Sequence, residues 1–120
     1  MGICDNRVVI ITGAGGGLGA AHAKVFAAEG ASVIVNDINE DAAKKVVEEI
    51  TAAGGKAVVN TSDITNYDDS LNAVKQAIDT YGDLHIVLNN AGVNRDRMFA
   101  SMTEAEWDNI MAVHLKGHFC

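Results

Sequence analysis

The sequence has no proline among its 120 residues, where average usage of about 5% would give several. It has no low-complexity segment, no run of like charge and no composition shift that would mark a linker. Cysteine is nearly absent: Cys4 and Cys120 sit at opposite ends, without metal-ligand or Cys-x-x-Cys spacing. They read as free thiols in a reducing compartment, which sets a cytoplasmic expectation; a bridge joining the termini is the open alternative. Positive charge is scarce as well. Nine Lys and Arg against sixteen Asp and Glu leave a net charge of −7, which excludes the basic face that nucleic acid or anionic lipid requires. No apolar stretch approaches the roughly 20 residues of a membrane span. The first apolar run follows Asp5, Asn6 and Arg7 and is too short for a secretory signal. "MGICDN" opens like a myristoylation signal, but Asn6 stands where Ser or Thr is needed. The "NTS" at Asn60 is a glycosylation sequon in form, without meaning in a cytoplasmic protein.

What is present is one domain's worth of chain, enough to bury ~65% of the surface its unfolded form exposes. Arg7–Thr12, "RVVIIT", is a β-branched apolar run of the kind buried on both faces of a sheet. A glycine loop follows it. "LGAAHAKVFAAEG" then places Leu18, Ala21, Val25 and Ala28 at helical spacing and stops at Gly30. "ASVIVND" reads as a second buried strand, and "NEDAAKKVVEEITAAGG" as an amphipathic helix with an acidic first turn and a Gly-Gly stop. "KAVVNTSD" is a third strand. "NYDDSLNAVKQAIDTYG" is a third helix with Leu71, Val74 and Ile78 on one face, and "LHIVLNNAG" is a fourth strand ending in a turn. "TEAEWDNIMAVHLKGHFC" starts with Thr103 and Glu106 in capping-box spacing and predicts a helix to the last residue. This alternation predicts an α/β fold of βαβ units, with a parallel sheet and right-handed crossovers.

"TGAGGGLG", Thr12 to Gly19, lies between a buried strand and a helix start. Bare backbone N–H groups and the positive end of a helix meet there, and glycine lets a pyrophosphate approach the backbone closely. Asp37 closes the second strand, where a carboxylate can accept from the ribose hydroxyls of an adenine dinucleotide. Its charge repels a 2′-phosphate, and no Arg or Lys lies in the loop or just after Asp37. NAD is therefore expected over NADP; the plain alternative makes Asp37 a solvated strand-end or cap residue. A P-loop is excluded, since Leu18-Gly19-Ala20 offers neither the lysine nor the hydroxyl it needs.

These motifs resemble the short-chain dehydrogenase/reductase family. "TGAGGGLG" matches its TGxxxGxG loop through Gly13, Gly17 and Gly19, and "NNAG" at Asn89–Gly92 follows the fourth strand as in the family. The looser GxGxxG/A fingerprint fits through Gly15, Gly17 and Ala20, with a poorer match to the whole stretch. "GVNRDRMF" and "EWDNIMAVHLKGHF" are similar to 3-oxoacyl reductases and (3R)-hydroxyacyl-CoA dehydrogenases. The likeness runs through essentially the whole sequence. It implies residues 1–120 as the N-terminal half of a dinucleotide-binding domain, a Rossmann-like sheet of about four strands in the order 3-2-1-4 with helices on both faces. It also implies roles: Gly13, Gly15, Gly17, Leu18 and Gly19 at the pyrophosphate, Asp37 at the ribose, and Asp63 and Ile64 at the adenine. Asn90, Ala91 and Gly92 would line the path to the nicotinamide.

Two departures bear on activity. His114, in "VHLKG", stands where the family has an asparagine; it either bonds a water relay or is a helix-face histidine without a role. The family's serine and its YxxxK pair are missing from these 120 residues: Leu71 follows Tyr67 by four positions and His85 follows Tyr81, while Ser62, Ser70 and Ser101 fall in other segments. Without a phenol beside a lysine, no general acid protonates a carbonyl oxygen, so the chain alone is expected to be inactive in hydride transfer. A fourth strand left at the sheet edge, and a last helix striped with Trp107, Ile110, Met111, His114, Leu115 and Phe119, predict a homo-oligomer formed through one or the other. A different reading takes the fold as a recruited hydrolase, for instance a glycosidase, using Asp37 with Asp63 or Glu104 with Asp108; such chemistry needs two carboxyls ~5–10 Å apart. No metal is expected, since His22, His85, His114 and His118 form no cluster with a third ligand.

Overall fold

A computed structural model describes residues 2–91 and 103–119. Five-residue strands β1 (Val8–Thr12), β2 (Ser32–Asn36) and β3 (Lys56–Asn60) alternate with helices α1 (Gly17–Ala28), α2 (Glu40–Ala52) and α3 (Tyr67–Tyr81). Strand β4 (Ile86–Leu88) follows α3, and α4 (Glu104–Ile110) lies near the end of the described chain. The four strands form one parallel sheet in the order β3-β2-β1-β4, as the family likeness implies.

Side chains alternate across β1 and β2, so the sheet has two cores. Val9, Ile11, Val33 and Val35 face α1 and α2, packing with Ala20, Ala23, Ala27, Ala43, Val46 and Ile50. Val8, Ile10 and Ile34 face the other way, onto Ala73 and Ala77 of α3. Both faces of the central strands are therefore dry, which is why their sequences are continuous apolar runs rather than alternating ones.

The helical faces differ from those read by periodicity. Leu18 is 74% exposed and Val25 63% exposed, while α1 buries Gly19, Ala20, Ala23 and Ala27. In α3, Leu71 and Ile78 are exposed and Ser70, Ala73 and Ala77 are buried. Both helices pack on the sheet through these small side chains, which let the helix backbone approach it.

The fourth strand is also shorter than "LHIVLNNAG" suggests: only Ile86, Val87 and Leu88 pair with β1. Beyond Leu88 the chain turns across the end of β1, where the Asn90 and Ala91 amides both donate to Thr12 Oγ1 at 3.1 Å. The final helix is not uniform either. After α4 the backbone runs as a π-helical stretch over Met111–Lys116 and then a last α-helical turn, Gly117–Phe119. The capping box is present in part: Thr103 Oγ1 accepts from the Glu106 amide and donates to the Glu106 carboxylate, each at 3.1 Å.

Candidate functional site

All C-terminal strand ends of a parallel sheet point the same way, and a crevice opens where neighbouring crossovers go to opposite faces. Here that crevice lies beyond β1, flanked by β2 and β4. It is a cleft of about 570 Å³ lined by Gly13, Leu18, Asp37, Asp63, Ile64, Asn90 and Ala91, among others. Seven of the residues singled out from the sequence thus meet in one place. No lysine or arginine is among the described residues that line it.

The loop after β1 is fixed by contacts that leave no room for side chains. Gly13 has φ +64°, a conformation glycine adopts without penalty, and a Cβ there would come within 2.8 Å of the Ala91 Cα. A Cβ on Gly19 would run into the Gly13 carbonyl and within 2.5 Å of the Asn90 amide nitrogen. Asn90 Nδ2 itself donates to the Gly13 carbonyl at 3.3 Å. Gly15 donates its N–H to Asp37 Oδ2 at 2.9 Å, and Asp37 Oδ1 accepts from the Asn39 amide at 2.9 Å.

Gly16 and Gly17 differ from these, because a Cβ on either would meet nothing within 4 Å. Their environment is open, at the point where α1 begins. The N-cap of α1 is Gly16, which supplies no side-chain hydrogen bond. The N-caps of α2, α3 and α4 do: Asn39 accepts from Ala42, Asn66 from Asp69 and Thr103 from Glu106. The first N–H groups of α1 therefore lack the side-chain acceptor that helix ends ordinarily have. An anion at the cleft fits that arrangement and gains from the helix dipole.

On the far side, Ser62, Asp63, Ile64 and Thr65 form a wall. Asp63 Oδ1 accepts from the Thr65 amide at 2.9 Å and the Thr65 hydroxyl at 2.7 Å, closing a tight turn. Ile64 touches the last helical turn: a Cβ on Gly117 would lie 3.0 Å from Ile64 Cδ1. Val113 closes the cleft from the π-helical stretch. Asn36, Ile38, Ser62, Thr65 and Val113 were not among the residues singled out from the sequence. For Ile38 the available signal was an apolar residue directly after the strand-end Asp37; it is 77% exposed at the cleft. For Val113 nothing local marks it.

Gly92 and the side chains of His114 and His118 lie outside the described residues, and so does the role read for each. Asp37 and Asp63 both line the cleft, each tied into backbone turns. Glu104 and Asp108 are exposed on α4, outside it. Among the described residues no three His, Cys, Asp or Glu side chains gather as metal ligands, and no helix is long and apolar enough to cross a membrane.

Comparison with known proteins bears on the same cleft. A family described as short chain dehydrogenase matches residues 7–120. The chain is 48% identical over 124 residues to mouse (Mus musculus) peroxisomal multifunctional enzyme type 2, covering 96% of this chain and 16% of that protein. It is 45% identical over 120 residues to the hydroxyacyl-CoA dehydrogenase ChsB1 of Mycobacterium tuberculosis, covering 96% of this chain and 38% of that one. A solved short chain dehydrogenase from Mycobacterium avium superposes with a TM-score of 0.95 at 52% identity, over 98% of this chain and 44% of its own. The chain thus spans less than half the length of each of these three relatives.

Proposed function

The chain belongs to the short-chain dehydrogenase family, and we propose that its 120 residues are the N-terminal half of a dinucleotide-binding domain that prefers NAD to NADP. The family is one of oxidoreductases that bind a nicotinamide cofactor. The observation that carries the reading is the uncapped start of α1 opening into a cleft that the strand-end Asp37 also lines.

The residues fit the group. The amides at Gly16 and Gly17 hold the pyrophosphate, with no Cβ in the way. Asp37 spends one hydrogen bond from each oxygen on Gly15 and Asn39; a carboxylate has about four acceptor sites, so it can still accept from two ribose hydroxyls. A 2′-phosphate placed there meets that negative charge with no lysine or arginine among the described lining residues to offset it. Ile38 and Ile64, which both line the cleft, cover the adenine, which accounts for the exposure of Ile38. Asn90 and Ala91, held over Thr12, line the nicotinamide end together with Gly92. NAD, when bound, supplies the hydride acceptor.

Within these residues the phenol and lysine of a YxxxK pair are absent, so the 120-residue chain binds the cofactor and does not by itself transfer hydride. In the whole protein the reaction would be oxidation of a hydroxyacyl or related secondary alcohol, as the names of the mouse and Mycobacterium tuberculosis relatives suggest. The mouse relative is peroxisomal by name, so it lends no support to the cytoplasmic expectation. The exposed Val87 on β4 and the apolar groove of Met111, Ala112, Leu115 and Phe119 support self-association through the β4 edge or the last helix.

Calorimetric titration with NAD and NADP tests the reading. Saturable binding of NAD with at least tenfold weaker NADP is the expected result, on the scale of one lost charge-assisted contact. A folded chain that takes up neither refutes it.

A further inference from the structure

Three polar side chains, of which Asn36 lines the cleft, form a chain of hydrogen bonds that the nucleotide-binding reading leaves unexplained. Asn36 Nδ2 donates to Asn60 Oδ1 at 2.7 Å and to the Ser62 carbonyl at 3.1 Å. Asn60 Oδ1 also accepts from the Ser62 amide at 3.0 Å. Asn60 Nδ2 donates to Gln76 Oε1 at 2.7 Å, and Gln76 Nε2 donates to the Val59 carbonyl at 2.9 Å. Asn36 and Asn60 are buried, and Gln76 is half-buried on α3, which does not line the cleft.

The direction of this relay is forced at both ends. The Ser62 amide can only donate, so Asn60 must turn its oxygen toward it and its NH2 toward Gln76. The Val59 carbonyl can only accept, so Gln76 must turn its NH2 there and its oxygen toward Asn60. The Asn60 carbonyl accepts from Asp37 N of the β2 side. Carbonyls alternate sides along a strand, so the Val59 carbonyl faces the outer edge of the sheet, where Gln76 meets it. Both backbone polar groups of Ser62 are thereby clamped, and Ser62 begins the Ser62–Thr65 wall.

We propose that Gln76 is a positioning residue: acting through Asn60, it fixes the Ser62–Thr65 wall in the position that receives the adenine. The proposal deepens the nucleotide-binding reading and rests on it for the identity of the ligand. Gln76→Glu keeps the size and the acceptor toward Asn60 but presents a second oxygen to the Val59 carbonyl. Asn60→Asp keeps both bonds to Ser62 and Asn36 but presents an oxygen to Gln76. The double variant Asn60→Asp with Gln76→Lys restores a donor to both acceptors.

The test uses the whole 120-residue chain, with amide hydrogen exchange resolved at Ser62 and calorimetry with AMP and NAD. Each single variant is expected to speed exchange at Ser62 and weaken AMP and NAD in parallel by about tenfold, with the NAD-to-NADP ratio unchanged. The double variant is expected to recover most of both. Partial unfolding would lower the number of binding sites rather than the affinity, so it is distinguished within the same titration. Unchanged Ser62 exchange in both single variants, or no recovery in the double variant, overturns the relay. If the parent chain binds neither AMP nor NAD, the functional reading falls, and exchange at Ser62 still decides whether Gln76 holds the wall.

Discussion

Asp37 Oδ2 accepts the Gly15 amide at 2.9 Å, which ties the carboxylate at the end of β2 to the glycine loop at the end of β1. Removing this side chain therefore has two effects that can be measured separately. Asp37→Ala is expected to cost about 1–2 kcal/mol of stability from the unpaired Gly15 and Asn39 amides. It should also bring NAD and NADP affinities to within a few-fold of each other, since the repulsion is gone while neither ligand gains a cation. Urea denaturation reads the first effect and paired titrations the second. A preserved preference for NAD would show that another residue reads the ribose.

The glycines of the loop should fall into two classes under alanine substitution. Gly19→Ala has no space for its methyl group and is expected to destabilise the fold by about 2–4 kcal/mol. Gly16→Ala has open space and an extended φ of −172°, so thermal unfolding should move by only a degree or two, while NAD affinity falls about tenfold or more as the methyl enters the anion's place. A Gly16→Ala chain that binds normally would place the pyrophosphate elsewhere.

Thr12 closes the sheet rather than the cleft. Its hydroxyl accepts two backbone amides, from Asn90 and Ala91. Thr12→Val, equal in shape but without the acceptor, should cost about 1–2 kcal/mol by leaving the Ala91 amide unpaired, since the Asn90 amide keeps the Leu88 carbonyl at 3.0 Å, whereas Thr12→Ser should retain most of the stability. Equal losses in the two variants would mean that the methyl group, not the hydroxyl, does the holding.

At the other end of the sheet, His85 Nδ1 accepts the Val8 amide at 2.9 Å. The ring must then carry its proton on Nε2 when neutral, the nitrogen that faces Asp83 at 3.5 Å. His85→Ala is expected to cost about 1–3 kcal/mol, the penalty for a buried donor without a partner, with no change in nucleotide affinity because the cleft lies at the opposite strand ends. Chemical denaturation and titration of the same preparation check both halves of that statement.

Self-association is testable at the last helix. Leu115 and Phe119 are exposed beside Met111 and Ala112, and an apolar patch of that kind is usually covered. Light scattering is expected to report a dimer, and Leu115→Glu with Phe119→Glu should yield a monomer that retains NAD affinity. A parent chain that is already monomeric would refute association through this face.

The sequence by itself determined the order of strands and helices, the parallel sheet, and seven of the residues that line the cleft. The signals are local: apolar runs for β1 and β2, an acidic first turn for α2 and Thr103 with Glu106 for α4, glycines where backbone must pass close to backbone. Tertiary structure alone decided which helix face is buried. Hydropathy favoured Val25 and Leu71, but the distance from helix to sheet selected Ala23 and Ala73, because close approach rewards small volume over apolar area. It also decided the length of β4, which Thr12 ends from another strand, and the clamp on Ser62, which joins residues from β2, β3 and α3. A hydrogen bond between side chains 16 residues apart, such as that from Asn60 to Gln76, has no periodicity to announce it; it exists only once the sheet has brought α3 over its edge.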